Sequence, residues 1–209
     1  MEGGVTVEYW YCFTKTNMTN DDIQNLMRQI TGFSDAELEL VMKYFEVKNI
    51  RKKTILLKAG ETAQELYFIV SGCMRLFYEK DGADISAYFF TDMMFAGAYD
   101  SFASRKPSRH SIETSEDCQI LTISYKGWQQ LFIELPKMNG LVLKIIEERF
   151  ISLHKLYTSL ILDTPEERFI NLQNERPDIL QRIPQHQIAT FLGVTPVSLS
   201  RIRNRLTKK

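Results

Sequence analysis

The segment that decides the architecture lies near the carboxyl end, at residues 184–206, and reads PQHQIATFLGVTPVSLSRIRNRL. Its first half predicts a helix that begins at Pro184 and ends at Gly193, and Thr195 is a good cap for a second helix. Ala189 is a small residue that suits the closest approach of two helices. Two helices joined by a tight turn also need apolar residues at set positions along the chain. Apolar residues stand at these positions here: Ile188, Leu192, Val194, Leu199 and Ile202. The spacing predicts a helix-turn-helix, although an ordinary αα-hairpin gives a related pattern.

The charge of the same region favours the first interpretation. Residues 182–209 contain no acid and six basic residues: Arg182, Arg201, Arg203, Arg205, Lys208 and Lys209. The whole chain of 209 residues has 26 basic and 26 acidic side chains, so the other 181 residues carry 20 and 26, a net charge of −6. Lys and Arg hold a protein on phosphates, whereas an acid on that surface would repel them. We therefore expect double-stranded DNA as a partner.

Helical geometry predicts which side chains of the second helix read DNA. When Leu199, Ile202 and Leu206 face inward, a step of about 100° per residue puts Arg201 and Asn204 on the outer side. Arg201 suits guanine, Asn204 suits adenine, and Val197 suits a thymine methyl group. Arg203 is expected near the buried edge, while Arg205, Lys208 and Lys209 are expected on phosphates. The candidate DNA-binding residues are Thr195, Val197, Ser198, Arg201, Asn204, Arg205 and Lys208.

A long amphipathic helix is predicted upstream, over residues 137–162. At about 1.5 Å per residue it would span roughly 39 Å, more than a compact domain needs for its own packing. The length favours pairing with a second copy of the chain, although a core helix lying across a barrel remains an alternative. The candidate dimerisation residues are Val142, Ile146, Phe150, Leu153, Leu156, Tyr157 and Leu160. Thr164 and Glu167 then form a capping box that opens a new domain.

The first half of the chain predicts a sheet-rich domain. Short β-branched and aromatic runs between about residues 47 and 123 are separated by turn signals such as Ser71-Gly72 and Asp81-Gly82, which is typical of a sandwich or small barrel. Two short helices precede them, the second capped by Ser34. We expect an N-terminal tail at 1–17, a barrel domain at 18–135, the long helix at 136–162 and a DNA-binding domain at 163–209.

Several functional classes are disfavoured by composition. No stretch approaches the roughly 20 apolar residues of a membrane span, and no secretory signal is evident, so a cytoplasmic protein is expected. The three cysteines are too scattered for a disulfide framework: Cys12, Cys73 and Cys118. A metal-dependent barrel enzyme needs clustered ligands, whereas the histidines lie in three separate segments: His110, His154 and His186. We predict no catalytic residue, no metal site and no enzymatic activity, and we expect Cys73 and Cys118 to be inert core thiols.

The order of these parts resembles the Crp–Fnr family of bacterial transcription regulators over roughly residues 19–207. Residues 58–61 (KAGE) and 65–72 (ELYFIVSG) are similar to its cyclic-nucleotide-binding fold, and residues 188–201 are similar to its DNA-reading unit. The resemblance implies an α+β protein with an N-terminal β-barrel of the double-stranded β-helix type, a long dimerisation helix and a C-terminal helix-turn-helix. It also implies a homodimer on a two-fold symmetric promoter site, with RNA polymerase as a further partner.

The chain departs from the family at the ligand site. Members that bind cyclic AMP carry a Gly-Glu-Leu cassette and a later arginine, whereas residues 95–100 here read FAGAYD. The glutamate position falls on Ala98 and the arginine position on Ser108. Cyclic AMP is therefore not expected, and a different small ligand, or none, is left open. The candidate effector residues are Gly97, Ala98, Tyr99, Ser108 and Arg109.

Other departures concern cofactors and the DNA unit. An oxygen-sensing iron–sulfur cluster needs four cysteine ligands, and only Cys12 lies near the N-terminus. Pro196-Val197 replaces the family's Arg-Glu pair, so a different half-site sequence is expected. No β-hairpin wing is expected after Leu206, and Lys208 would take over part of its phosphate anchoring. The alternative function is an interaction module whose barrel binds a protein or small ligand while the DNA unit is secondary.

Overall fold

The computed structural model describes residues 18–207; the predicted tail at 1–17, with Cys12, and the two terminal lysines, Lys208 and Lys209, lie outside this range. Two helices come first, α1 (Asn20–Thr31) and α2 (Asp35–Met42). Both begin with a capping box, built on Thr19 for α1 and on Ser34 for α2. In each box the hydroxyl accepts a backbone N–H at the third helical position and the acid there bonds back to the cap. The predicted pair of short helices is confirmed.

Eight strands follow in the described range, close to the predicted runs: β1 (Phe45–Ile50), β2 (Ile55–Leu57), β3 (Glu65–Ser71), β4 (Met74–Lys80), β5 (Ala83–Phe90), β6 (Phe95–Ala96), β7 (Ser111–Thr114) and β8 (Cys118–Ser124). They form two antiparallel sheets. Sheet I has the order β1-β8-β3-β6 and sheet II the order β2-β7-β4-β5. The strands β5 and β6 are consecutive in the chain, and β5 lies at one edge of sheet II while β6 lies at one edge of sheet I. The result is a jelly-roll-like sandwich, as predicted for a domain of this fold class.

The core of this domain lies between the sheets. Most residues of β3 and β8 and the first residues of β4 lose nearly all contact with solvent, among them Phe68, Met74 and Leu121. The helix α4 (Tyr125–Glu134) covers the same core through Leu131. A short helix, α3 (Tyr99–Ser104), follows β6 and buries Phe102.

The remaining helices are α5 (Met138–Leu162), α6 (Pro165–Glu175), α7 (Pro177–Arg182), α8 (Gln185–Phe191) and α9 (Pro196–Leu206). The predicted long helix is confirmed as α5. Thr164 caps α6 in the predicted box with Glu167. The C-terminal helices bury a second apolar cluster that also includes Cys73 and Phe89 from the sandwich. The two parts of the chain therefore share apolar contacts.

Candidate nucleic-acid interface and effector site

The predicted helix-turn-helix is formed by α8 and α9. Ala189 is completely buried at their closest approach, and its carbonyl oxygen accepts the Val194 N–H at 2.9 Å across the turn. Gly193 has φ of +67°, a left-handed conformation that favours glycine. Arg168 of α6 steadies the turn, because its Nε donates to the Leu192 carbonyl at 2.9 Å. The turn is thus fixed both by its own backbone and by a neighbouring helix.

The outer face of α9 carries the side chains predicted to read DNA. Leu199 and Ile202 are buried as predicted, while Arg201 and Asn204 are exposed and Val197 is 61% exposed. The Thr195 hydroxyl caps α9 by accepting the Ser198 N–H at 3.2 Å. Arg201 and Asn204 also line an open groove of about 1050 Å³ whose other wall includes Ile85 of β5.

The six basic residues do not all lie on this face. Arg182 is half-buried and forms ion pairs with Asp92, at 2.5 Å, and with Glu116. Burial disfavours its charge, but the hydrogen bonds to these two carboxylates raise the pKa of Arg182 above its usual value. Arg205, expected on a phosphate, lies 3.3 Å from Glu166. Arg203, expected near the buried edge, is exposed, and that expectation is wrong because the edge is filled by Ile202 and Leu206.

The helix-turn-helix packs directly on sheet II. The Ser86 N–H of β5 donates to the Thr190 hydroxyl of α8 at 3.1 Å. The rings of Phe89 and Phe191 meet edge to face, with centroids 5.3 Å apart. The Arg182 ion pairs close the same boundary from the side of α7. Sequence reasoning missed this contact, since its partners lie 66 to 104 residues apart.

The predicted effector segment lies at the edge of sheet I. Gly97 has φ of +151°, and a Cβ there would come within 2.6 Å of a Leu66 methyl group, so a side chain would clash. Ala98 is buried and supplies no polar group where the family has its glutamate, whereas Tyr99 is exposed. The backbone at Gly97 therefore lies close to Leu66 of β3, but no carboxylate is present at the neighbouring position 98.

Ser108 and Arg109 do not supply the missing cation. Ser108 is buried, and its hydroxyl donates to the His110 carbonyl at 2.8 Å. Arg109 is exposed. His110 points into the domain with its Nε2 buried and without a hydrogen bond, and its closest acid is Asp100 at 3.8 Å. Burial lowers the pKa of His110, and Asp100 only partly opposes that change.

Arg149, which sequence reasoning did not single out, is the basic group that enters this domain from α5. Its Nη2 donates to the Phe95 carbonyl of β6 at 2.9 Å. Its guanidinium lies over the Tyr88 and Phe90 rings, 4.6 and 4.9 Å from their centroids. The signal available in the sequence was a single arginine beside the apolar stripe of a long helix, which does not by itself distinguish a buried position from an exposed one.

The apolar stripe of α5 is largely uncovered. Phe150 is 69% exposed and Tyr157 is 65% exposed. The uncovered residues with strict three- and four-residue spacing are Leu143, Ile146, Phe150, Leu153, Tyr157 and Leu160. Two candidate dimerisation residues differ from these: Val142 is buried in the core of the same chain, and Leu156 is half-buried. Leu143, the neighbour of Val142, takes its place in the stripe.

The remaining cysteines and histidines of the described residues lie apart from one another or are buried. Burial raises the pKa of both the Cys73 and the Cys118 thiol to about 12. His154 and His186 are exposed, far along the chain from His110. Within residues 18–207, no group of three or more His, Cys, Asp and Glu side chains could hold a metal ion. In that same range, every helix is too short or too polar to cross a membrane.

Sequence comparison identifies the sandwich. Residues 47–134 match the cyclic nucleotide-binding domain family. The chain is 28% identical over 104 residues to the cAMP-activated global transcriptional regulator CRP of Pasteurella multocida, covering 49% of this chain and 50% of that protein. It is 25% identical over 99 residues to CRP of Salmonella typhimurium, covering 47% of each chain. The chain thus aligns with about half the length of the curated relatives it matches.

Structural comparison extends over most of the chain. A crp/fnr-family regulator from Eubacterium rectale superimposes with a TM-score of 0.69 at 16% identity, covering 88% of each chain. The c-di-GMP-responsive regulator CLP of Xanthomonas campestris superimposes with a TM-score of 0.67 at 18% identity, covering 84% of this chain and 92% of CLP. At such identity these matches show the fold, including the helices after the sandwich. The chain therefore contains a cyclic nucleotide-binding domain and, over most of its length, has the fold of the crp/fnr-family regulator from Eubacterium rectale.

Proposed function

We propose that the chain is a non-enzymatic, DNA-binding transcriptional regulator of the Crp–Fnr type. The observation that carries the proposal is the outer face of α9, where Arg201, Asn204 and Val197 stand free of any acidic neighbour in sequence. Major-groove reading needs side chains of this kind on a helix that protrudes from its domain. In this proposal residues 18–135 sense an effector, 136–162 dimerise and 163–209 bind DNA, with Arg203 added to the candidate phosphate contacts.

The uncovered stripe of α5 supports a homodimer. Leu143, Phe150 and Tyr157 repeat every seven residues, and Ile146, Leu153 and Leu160 form the second such series. A strict seven-residue repeat is the pattern of a left-handed coiled coil, in which two helices bury the stripe against each other. Such a dimer would place two copies of α9 on a two-fold symmetric DNA site, with half-sites about one helical turn apart.

Selection from random DNA tests the DNA-binding role. The full chain should enrich a palindrome at low salt, and Arg201→Ala should lower affinity for that palindrome by roughly 10- to 100-fold, the value of about 1–3 kcal/mol for a good base contact. Arg51→Ala is the matched control, because Arg51 is an exposed arginine of the sandwich and lies outside the helix-turn-helix. No enrichment, or equal binding by R201A and R51A, would favour the alternative of an interaction module.

Sedimentation analysis tests the dimer. Phe150→Glu puts a charge into the proposed seam and should shift the protein to monomer at micromolar concentrations. Lys155→Glu also adds negative charge to α5, but on the opposite side of the helix, and should leave the dimer intact. A wild-type chain that sediments as a monomer would contradict the proposed assembly.

We propose further that cyclic AMP is not the effector. A buried cyclic phosphate needs a paired cation, and Ala98 and Ser108 supply neither the family's glutamate nor its arginine. Titration calorimetry with cyclic AMP should show no binding in the micromolar range. A saturable heat of binding at these concentrations would contradict this part of the proposal and would indicate that residues 95–100 bind cyclic AMP.

A further inference from the structure

Arg149 is a half-buried cation, and no acidic partner is described for it. Its described contacts are the Phe95 carbonyl and the Tyr88 and Phe90 rings, none of which carries a negative charge. Its Nη1 is shielded from solvent and makes no hydrogen bond, although the Tyr88 hydroxyl nearby favours the charged form. No carboxylate within residues 18–207 forms an ion pair with it.

Two other arginines that lie against the sandwich, Arg75 and Arg182, are neutralised by acids. Arg75, almost fully buried under the helix-turn-helix, is paired with Asp84 at 2.9 Å and Glu113 at 2.7 Å. Arg182 is paired with Asp92 and Glu116. A guanidinium keeps its charge at any physiological pH, so burying it without a counter-ion costs stability. Arg105 and Arg168 are half-buried without a carboxylate as well, but their guanidinium nitrogens donate to backbone carbonyls. Among the arginines of residues 18–207, Arg149 is the one with a buried nitrogen that has no hydrogen-bond partner.

The position of Arg149 is also informative. It projects from α5 to the place where sheet I ends at β6 and sheet II ends at β5. Phe95 directly precedes the cassette residues Ala96 and Gly97, so the guanidinium lies beside the segment that resembles a phosphate cassette. The aromatic rings offset part of the cost of burial through cation–π attraction, while they leave Nη1 free to donate.

We propose that Arg149 is the charge-recognising residue of an effector site for a small organic anion with a carboxylate or phosphate group. This inference rests on the sensing role assigned above to the sandwich. The planar guanidinium fork matches two oxygen atoms of such a group, and an incoming oxyanion would provide the missing counter-charge and an acceptor for Nη1. The cation that the cassette lacks at Ser108 would thus come from α5.

The same geometry couples the site to the rest of the protein. Because Nη1 is shielded, an anion reaches it only if α5 or the two strand edges shift. α5 continues through Asp163 and Thr164 into α6, which contacts the turn before α9 through Arg168. An anion at Arg149 would therefore change the position of the helix that carries both the dimer stripe and the DNA-binding unit.

Thermal unfolding without ligand separates a binding role from a structural one. Arg149→Met removes the unbalanced charge but keeps an apolar side chain. We expect its Tm, in a chloride buffer, to lie within about 2 °C of wild type or above it, whereas Arg75→Met should fall by several degrees because two carboxylates lose their partner. A fall of R149M as large as that of R75M would identify a structural contact and overturn the proposal.

Added anions test binding directly. Sodium phosphate and sodium succinate, each compared with sodium chloride at equal ionic strength, should raise the wild-type Tm in at least one case, by about 5–10 °C at a hundredfold excess over Kd. The shift should vanish in R149M and persist in Arg51→Met, the matched control at an exposed arginine outside the candidate effector residues. The salt that shifts the Tm identifies the head group. No shift with either salt, or a shift that R149M keeps, would overturn the proposal.

Two further arms keep the result interpretable. Arg149→Gln repeats the anion measurement if R149M does not fold. DNA selection is scored separately on the same preparations. An Arg149-dependent shift without DNA enrichment would refute the regulator proposal alone, and enrichment without such a shift would refute the anion site alone.

Discussion

Replacing Arg182 by methionine should loosen the contact between the helix-turn-helix and the sandwich. In the wild-type chain Arg182 is paired with both Asp92 and Glu116, and the three side chains keep 25%, 39% and 30% of their surface exposed. Their environment lies between that of a surface ion pair, worth up to about 1 kcal/mol, and a buried one, whose disruption costs about 3–5 kcal/mol. Since Asp92 retains the Gly72 N–H at 2.6 Å as a partner, we expect a loss of about 1–3 kcal/mol.

Calorimetry and amide hydrogen exchange measure this loss. For a chain of this size the expected fall in Tm is about 3–10 °C, and it should shrink in high salt. Exchange should accelerate in α7 and α8 more than in sheet I, because only the boundary is weakened. Arg28→Met is the control, since Arg28 forms an exposed pair with Asp35. If R182M loses no more stability than R28M, or if exchange rises uniformly, the ion pairs do not hold the two parts together.

Three further perturbations have outcomes of defined sign. Gly193→Ala should lower the free energy of unfolding by about 1–2 kcal/mol, because the backbone of Gly193 is left-handed, whereas Gly140→Ala, in open space on α5, should raise it by up to about 1 kcal/mol. Denaturant unfolding measures both changes, and changes of the same sign would contradict this prediction. Burial lowers the pKa of His110, so on acidification the unfolded chain binds a proton at this histidine at a higher pH than the folded chain does. Lowering the pH through about 6.5 should therefore reduce the stability of the wild type more than that of His110→Phe. Parallel pH profiles of stability would contradict the burial argument. Because burial raises the pKa of Cys73 to about 12, Ellman's reagent should reach this thiol only on unfolding, and rapid labelling of the native protein would show otherwise.

Local signals in the sequence were reliable guides to the elements of the fold. Ser34 with Glu37 and Thr164 with Glu167 set helix starts through contacts three residues apart, and both boxes form as predicted. The inward face of α9 also followed from helical periodicity alone. These features depend on neighbours in the chain, so the sequence contains all the information that they need.

The misassigned residues depend on contacts between distant segments. Arg182 belonged to an acid-free run and looked like part of a DNA-binding surface, but its partners Asp92 and Glu116 lie 90 and 66 residues away. Val142 fitted the apolar stripe of α5, yet the first turns of that helix cover the sandwich core. Arg149 could not be singled out, because nothing in the local pattern shows that two sheet edges will partly enclose it. Such facts require the fold itself.

The packing of α8 against β5 has a consequence for solubility. β5 is the outermost strand of sheet II, and an outermost strand offers unpaired N–H groups to any other extended chain. The Thr190 hydroxyl accepts a hydrogen bond from one of these N–H groups, that of Ser86, and the Phe191 ring contacts the Phe89 ring of the same strand. If the C-terminal helices swing away to engage DNA, this border is uncovered in the same movement. The C-terminal helices therefore also protect an edge strand from pairing with other chains. A fragment that ends before α6 should form aggregates larger than the dimer, whereas the full chain should not.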